Sequence, residues 1–144
     1  MKQAGRVPWI LILILAGVAV IGSVFLVNAA GPQPVAVKFM DALAKQDIDK
    51  LTELSIIGND SPEMIHKKWE ETFKYAKYFK FRYQITDVVI ASDNTANAKL
   101  TYWDNYMVRA TTDKNFQIPM IKQDGKWKVH VGEISREMFP FLPR

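Results

Sequence analysis

The sequence predicts an α+β protein in which a transmembrane helix precedes two or three helices packed on a curved, four-stranded antiparallel sheet. Three observations support this prediction: an uncharged apolar run near the start of the chain, apolar residues spaced by three and four over residues 34–79, and apolar-polar alternation with turn signals from residue 80 onward. Because the helices come first and the strands follow in sequence, we expect the helices to cover one face of the sheet.

Residues 7–30 form the predicted membrane anchor. The segment carries no charged residue, and a helix of this length, at about 1.5 Å per residue, can cross a hydrocarbon core of about 30 Å. Trp9 lies near one end, where an indole ring favours the membrane interface. Gly31 and Pro32 follow the other end and interrupt the apolar helix. The sequence therefore predicts a lipid bilayer as a partner of residues 7–30.

The charges around this segment predict its direction. Lys2 and Arg6 precede it without any acidic residue, whereas basic and acidic residues are mixed after it. This bias predicts that residues 1–6 lie in the cytoplasm and that the domain lies outside, in a single-pass protein of the cell membrane. The alternative is a signal peptide that is cleaved near Ala29, which would leave a secreted domain.

Composition excludes several kinds of chemistry. The chain of 144 residues contains no cysteine, which excludes disulfides, thiolate metal sites and cysteine nucleophiles. The net charge of +4 comes from lysines and arginines that are spread along the chain, so we expect no nucleic-acid partner. We also expect no metal, because His66, flanked by Lys67 and Lys68, is a surface residue and His130 has no second ligand at a suitable spacing. The chain has no glycine-rich phosphate loop, so we expect no cofactor.

The predicted soluble domain covers residues 35–134, after a spacer over residues 31–34. Apolar residues recur every four positions from residue 35, and this rhythm breaks at Gln46 and Asp47 before it restarts, which predicts two helices or one bent helix. The segment Asp60-Ser61-Pro62-Glu63 then has the cap residue, proline and acidic residue typical of a helix start. We predict that this helix extends to about residue 79.

Four strands follow in the prediction. Their approximate ranges are residues 80–91, 95–112, 116–123 and 126–131. The last two strands are joined by Asp124-Gly125, a strong signal for a tight hairpin. Pro119 indicates an edge position or a bulge in the third strand. Residues 135–144 form an apolar tail with two prolines, which cannot continue a strand or a helix.

Two segments carry a resemblance to a known superfamily. They are VKFMDALAKQD at residues 37–47 and DGKWKV at residues 124–129. Together with the order of the elements between them, they resemble the nuclear-transport-factor-like superfamily of the cystatin-like fold, in particular its uncharacterised bacterial membrane-anchored or exported branch. The resemblance implies a half-cone in which the first helix packs into the cone and Trp127 plugs it. The superfamily includes isomerases, dehydratases, polyketide cyclases, binding modules and anchored assembly subunits, so the fold does not decide the function.

Asp104, Tyr102 and Tyr106 are the best catalytic candidates in the sequence. In an unbroken strand all three side chains point into the cone, where a carboxyl group could act as a general acid or base and a phenol could donate to an oxyanion. This arrangement is similar to that of ketosteroid-isomerase relatives. The alternative is that Asp104-Asn105 forms a bulge or a turn, which would move the carboxyl group into solvent. No catalytic residue is assigned from the sequence alone.

Aromatic side chains could line a ligand pocket if the cone is open. The pocket predicted in this way consists of Trp69, Phe73, Tyr83, Tyr102 and Trp127. The alternative is that Trp69 and Phe73 simply fill the core between the helices and the sheet.

The apolar tail and the anchor together suggest a function. Phe139, Phe141 and Leu142 would be adhesive if they were exposed, so the tail either folds back over the mouth of the cone or docks on a protein partner. The sequence therefore predicts a membrane-anchored, extracytoplasmic, non-enzymatic binding or assembly module, with a homo-oligomer as a further candidate. The alternative is a tethered small-molecule isomerase or lyase that uses an acid in the cone.

Overall fold

The computed structural model describes residues 31–104 and 113–144. The predicted anchor at residues 7–30 and the catalytic candidate Tyr106 lie outside these ranges. Among the residues that are described, no helix is long and apolar enough to cross a membrane.

The domain begins with two short-linked helices, α1 (Pro32–Lys45) and α2 (Ile48–Leu54). The predicted spacer at residues 31–34 is therefore largely the first turn of α1, because proline is tolerated where a helix has no hydrogen-bond partner for the missing N–H. Gln46 ends α1 in the left-handed region, with a φ of 57°. The Asp47 carboxylate then accepts a hydrogen bond from the Lys50 N–H at 3.1 Å and caps α2. The predicted break between two helices is confirmed.

Helix α3 (Pro62–Tyr75) starts where the sequence predicts, with the Ser61 hydroxyl accepting a hydrogen bond from the Met64 N–H at 3.4 Å. It ends four residues earlier than predicted. Ala76 leaves the helical region, and the Phe79 N–H donates to the Ala76 carbonyl at 3.0 Å. The resulting turn brings the Phe79 ring to 4.9 Å from the ring of Phe139, so tertiary packing ends the helix.

The sheet has five strands and is mixed, which corrects the prediction of four antiparallel strands. The five strands are β1 (Ser55–Ile56), β2 (Phe81–Ser92), β3 (Thr95–Asp104), β4 (Lys114–Gln123) and β5 (Lys126–His130). Their spatial order across the sheet is β1-β5-β4-β3-β2. Strand β1 runs parallel to β5, while the other pairs are antiparallel. A strand of two residues shows no alternation in the sequence, and its partner lies more than 70 residues away, so no local signal could reveal it.

The inner face of the sheet follows the predicted alternation. Along β3, the buried residues are Ala96, Ala98, Leu100 and Tyr102. Strand β4 lies inside the sheet, but its pairing with β5 extends only to Met120. Pro119 therefore has β3 on one side and no paired strand on the other, which agrees with the predicted edge position. The apolar face of α1 covers these strands with Val35, Ala36, Phe39, Met40 and Leu43.

Candidate functional site

Aromatic side chains fill the interior of the half-cone. Trp69 is fully buried, stacks on Phe73 at 5.9 Å between ring centroids, and meets the edge of Phe39 at 6.1 Å. Its indole N–H donates to the buried Ser55 hydroxyl at 3.1 Å. Tyr102 is also fully buried and extends the cluster toward β4. Within residues 31–104 and 113–144, Trp69, Phe73 and Tyr102 are therefore core residues.

The apolar tail completes this core. Met138, Phe139 and Leu142 are buried, and the Phe139 ring lies 6.3 Å from Phe73 and 5.9 Å from Phe81. Of the two predicted alternatives, the structure shows the tail folded back onto its own domain. Phe139 and Leu142 are thereby unavailable to a partner in this conformation, and Phe141 is the exposed member of the predicted docking set.

The other two predicted pocket residues lie apart from the interior. Tyr83 is half-buried between β2 and α1, where its hydroxyl donates to Asp41 Oδ1 at 2.6 Å. Trp127 is also half-buried, and its ring lies 5.9 Å from the Lys122 ammonium group. It shares the inner face with the fully buried Val129, as predicted, but it is only half-buried. The half-exposed position of Trp127 does not fit the expectation that it plugs the cone, whereas Phe139 is buried against Phe73 and Phe81.

Asp104 and Tyr102 lie at the end of β3 that leads to residues 105–112. Lys114 Nζ donates to Asp104 Oδ2 at 2.7 Å, and the Asp104 side chain is 28% exposed. The Tyr102 hydroxyl is buried and has no hydrogen-bond partner within residues 31–104 and 113–144. Burial, followed by the negative charge of Asp104, raises the pKa of Tyr102. The arrangement places an acid and a phenol close together, but the acid is already ion-paired and the phenol is enclosed.

Replacing Tyr102 with phenylalanine should stabilise the domain. The change keeps the ring contacts with Phe81 at 5.0 Å and Phe116 at 5.5 Å. It removes a buried hydroxyl for which residues 31–104 and 113–144 offer no hydrogen-bond partner. An unsatisfied buried polar group costs about 1–3 kcal/mol, so we expect a gain of about 1 kcal/mol in the free energy of unfolding. Urea denaturation of the full-length chain in detergent micelles measures it. A loss of stability would show that the hydroxyl has a partner that it needs.

In an alkaline titration, two tyrosines should resist ionisation as long as the domain is folded. Burial raises the pKa of both Tyr83 and Tyr102, and the hydrogen bond and charge of Asp41 add to the effect at Tyr83. Both phenols stay protonated in the folded state while they ionise in the unfolded state above about pH 10. Stability is thus fully present below that pH and is lost as the pH rises further. Ultraviolet titration of the native chain should show two phenols that ionise only on unfolding, whereas early ionisation of all tyrosines would contradict the structure.

A second arrangement lies on the outside of the domain, where α3 meets the tail. The Thr72 hydroxyl donates to the Phe141 carbonyl at 2.8 Å, and Lys68 Nζ donates to the Arg144 backbone oxygen at 2.6 Å. The Arg144 guanidinium donates to the carbonyls of Val131 and Ile134 at 2.6 and 2.8 Å. These contacts hold the tail in a defined path across α3.

This path exposes an aromatic pair. Tyr75 and Phe141 are 64% and 59% exposed, and their ring centroids lie 5.3 Å apart. A cavity of about 310 Å³ adjoins them, with Lys68, Glu71 and Arg144 on its walls. We call this surface, formed by Tyr75, Phe141, Lys68, Glu71 and Arg144, the tail face. It combines exposed rings with charges of both signs.

Sequence reasoning found Phe141 but did not find Tyr75, Lys68 and Arg144 as its neighbours. Tyr75 belongs to a basic and aromatic run that the helix pattern assigns to the end of α3, and a helix end gives no information about which distant segment covers it. The partner of Asp104 was also missed, because the Asp104–Lys114 pair depends on the register of β3 and β4.

Comparison with known proteins gives structural likeness only. No family model matches the sequence, and no curated protein matches it. Among solved structures, a ketosteroid isomerase-like protein from Erwinia carotovora atroseptica is similar with 15% identity and a TM-score of 0.46, over 68% of this chain and 87% of that one. An NTF-2-like protein of unknown function from Shewanella oneidensis has 11% identity and a TM-score of 0.46, over 67% and 88%. A domain of unknown function with a cystatin-like fold from Nostoc punctiforme has 12% identity and a TM-score of 0.49, over 67% and 69%.

Proposed function

We propose that this protein is a membrane-anchored, extracytoplasmic binding or assembly module without enzymatic activity, of the nuclear-transport-factor-like type. The observation that supports this proposal is that aromatic side chains of the chain itself fill the space between the helices and the sheet. Phe139 of the chain's own tail lies among Phe73, Phe79 and Phe81 and fills the aromatic interior there. A domain whose interior is occupied by its own residues interacts through its surface.

The tail face is the surface that we propose for a protein partner. Exposed aromatic rings supply much of the binding energy in protein interfaces. The Thr72 hydroxyl donates to the Phe141 carbonyl, and the Arg144 guanidinium donates to the Val131 carbonyl. These bonds fix the backbone that carries Phe141, so little conformational freedom of the tail is lost when a partner binds. The charges of Lys68, Glu71 and Arg144 can then orient that partner.

The membrane location of the module is supported by the sequence of residues 7–30 and by the basic residues that precede them. An uncharged run of this length is typical of a transmembrane helix. The proposal places the N-terminus in the cytoplasm and the domain outside. Retention of the chain in membranes after carbonate extraction, together with digestion of the domain by protease added to the outer side, tests both statements. Release by carbonate would contradict the anchor, and protection from protease would contradict the direction.

A tethered isomerase or lyase is the second candidate, and one observation favours it. The buried Tyr102 hydroxyl lacks a partner in the described part of the chain and lies close to Asp104. This function would require the tail to leave the cone and Lys114 to release the Asp104 carboxylate.

Crosslinking in native membranes tests the proposed binding surface. An amine-reactive crosslinker can act at Lys74, which is exposed and directly precedes Tyr75 in α3. With the unchanged chain we expect one reproducible adduct of defined mass, and we expect the double variant Tyr75→Ser/Phe141→Ser to lose most of it.

The matched control is Met64→Ser. Met64 is exposed on the first turn of the same helix, and it lies 11 residues, or about 16 Å, from Tyr75 along the axis. This variant should keep the adduct. An adduct that survives the double variant, or one that both variants lose equally, would contradict the proposal that the tail face binds the partner.

A further inference from the structure

The start of α1 has a defined position on the sheet. Gln33, in the first turn of the helix, lies with residues 85–88 of β2 around a cavity of about 230 Å³. Further along the helix, Asp41 accepts the hydrogen bond of Tyr83. Moving from Tyr83 to Val88 therefore means moving from the middle of α1 back to its beginning. Strand β2 runs antiparallel to α1 and passes its first turn at Val88.

Strand β2 continues beyond the beginning of α1. Residues 89–92 are exposed, and at about 3.3 Å per residue they extend about 13 Å further. Val89 and Ile90 in this extension are 43% and 62% exposed. Ile90 belongs to the same cross-strand row as Ala96, Met120 and Val129, which are buried. The Ile90 side chain of the inner face thus projects past the helix that covers the rest of that face, and Val89, which pairs with Asn97, lies beside it on the other face.

The hairpin of β4 and β5 reaches the same end of the domain. The Lys122 N–H donates to the Asn94 carbonyl at 2.8 Å, which joins the two hairpin turns. Trp127 pairs with Lys122 across the hairpin, and Lys126 follows the turn. The acidic residues at this end are Asp93 and Asp124 in the two turns and Asp87, which is paired with Lys99 at 3.8 Å.

We propose that this end of the domain, formed by Val89, Ile90, Lys122, Lys126 and Trp127 and here called the hairpin face, binds the surface of the lipid bilayer. The inference rests on the proposed function, because it requires that residues 7–30 cross the membrane. A chain that leaves the bilayer at residue 30 enters α1 at Pro32, so the first turn of α1 lies close to the lipid headgroups. The hairpin face lies at that same end.

The chemistry of the hairpin face suits a bilayer. Aliphatic side chains can enter the headgroup boundary to a depth of about 5–10 Å. An indole ring favours that boundary, and lysines beside it are attracted to lipid phosphates. A second copy pairing along the edge of β2 suits the structure less well, because the register shift between Ile85 and Asp87 and the charge of Asp87 interrupt that edge.

This orientation places the tail face away from the membrane. Gln46, at the end of α1, donates to the Lys77 carbonyl at 2.9 Å, just beyond Tyr75. The 14 residues of α1 span about 21 Å. A partner that binds the tail face therefore approaches from the side opposite to the bilayer.

Fluorescence quenching by lipids tests the proposal on the full-length chain. The sequence has no cysteine, so a single environment-sensitive fluorophore can be attached to Ile90→Cys or, as a control, to Tyr78→Cys. Tyr78 is exposed and follows Lys77 at the opposite end of the domain. Both labelled chains are reconstituted in liposomes that contain phosphatidylglycerol, with and without brominated acyl chains.

We expect the brominated lipids to quench most of the fluorescence at position 90 and none at position 78. If the chain resists carbonate extraction and position 90 is not quenched, the bilayer contact is overturned while the anchor stands, whether that probe faces water or a second copy. If carbonate releases the chain, the anchor and the bilayer contact both fail.

Discussion

Replacing Phe139 with alanine is expected to lower the free energy of unfolding by about 3–5 kcal/mol. Phe139 is buried and packs its ring against Phe73, Phe79 and Phe81, so the truncation removes a large apolar side chain and leaves a cavity at the mouth of the cone. Chemical denaturation of the full-length chain in detergent micelles measures the loss. Phe139→Leu should cost less, which keeps the test informative if the alanine variant does not fold.

Phe141→Ala is the matched control for this prediction. The residue lies two positions further along the same tail and is largely exposed, with the Tyr75 ring as its aromatic neighbour. An aromatic pair of this kind contributes about 0.5–1.5 kcal/mol, so we expect a cost of about 1 kcal/mol or less. Equal costs for Phe139→Ala and Phe141→Ala would mean that the tail does not fill the cone.

Replacing Trp69 with alanine, as a separate single change, is expected to lower the free energy of unfolding by about 3–5 kcal/mol. Chemical denaturation in detergent micelles measures this loss as well. The change removes the stacking on Phe73 and the edge contact with Phe39. It also leaves the buried Ser55 hydroxyl without its indole donor, which adds the cost of an unsatisfied polar group.

Trp127→Ala is the corresponding control among the tryptophans. Trp127 is half-buried beside Lys122 at the end of the hairpin, and its loss should cost less than about 1 kcal/mol. The resemblance in the last hairpin implies the opposite order, with Trp127 as the plug of the cone. A larger loss for Trp127→Ala than for Trp69→Ala would restore that interpretation.

Local signals predicted most of the elements correctly. The break at Gln46 and Asp47, the start of α3 at Pro62 and the inner face of β3 each depend on neighbouring residues, because caps, prolines and alternation act within a few positions. The chain follows them within a few residues. Tertiary packing decided the end of α3, where Phe79 turns toward Phe139.

Contacts between distant segments could not be predicted from such signals. Strand β1 is too short to show a pattern, and the Trp69–Ser55 hydrogen bond depends on that strand. The face of Trp127 was predicted correctly, but alternation does not show how far the helices extend over a sheet. For the candidate site, the sequence identified Asp104 and Tyr102 as neighbours, while the ion pair with Lys114 required the register between strands.

In the two proposals, opposite ends of the domain have different binding roles: the hairpin face binds the bilayer surface and the tail face binds a protein partner. The hairpin face lies where the predicted anchor joins α1, and the tail face lies where α1 ends. The interior between them is occupied by the chain's own aromatic residues.

Site-specific photocrosslinking in native membranes tests the central claim most directly. A photoreactive phenylalanine analogue is placed at position 141 in one chain and at position 64, on the exposed first turn of α3, in another. We predict a single protein adduct from position 141 and none from position 64. Absence of an adduct from position 141, in a chain that stays folded and membrane-bound, would contradict the proposal that this protein works by binding a partner through its tail face.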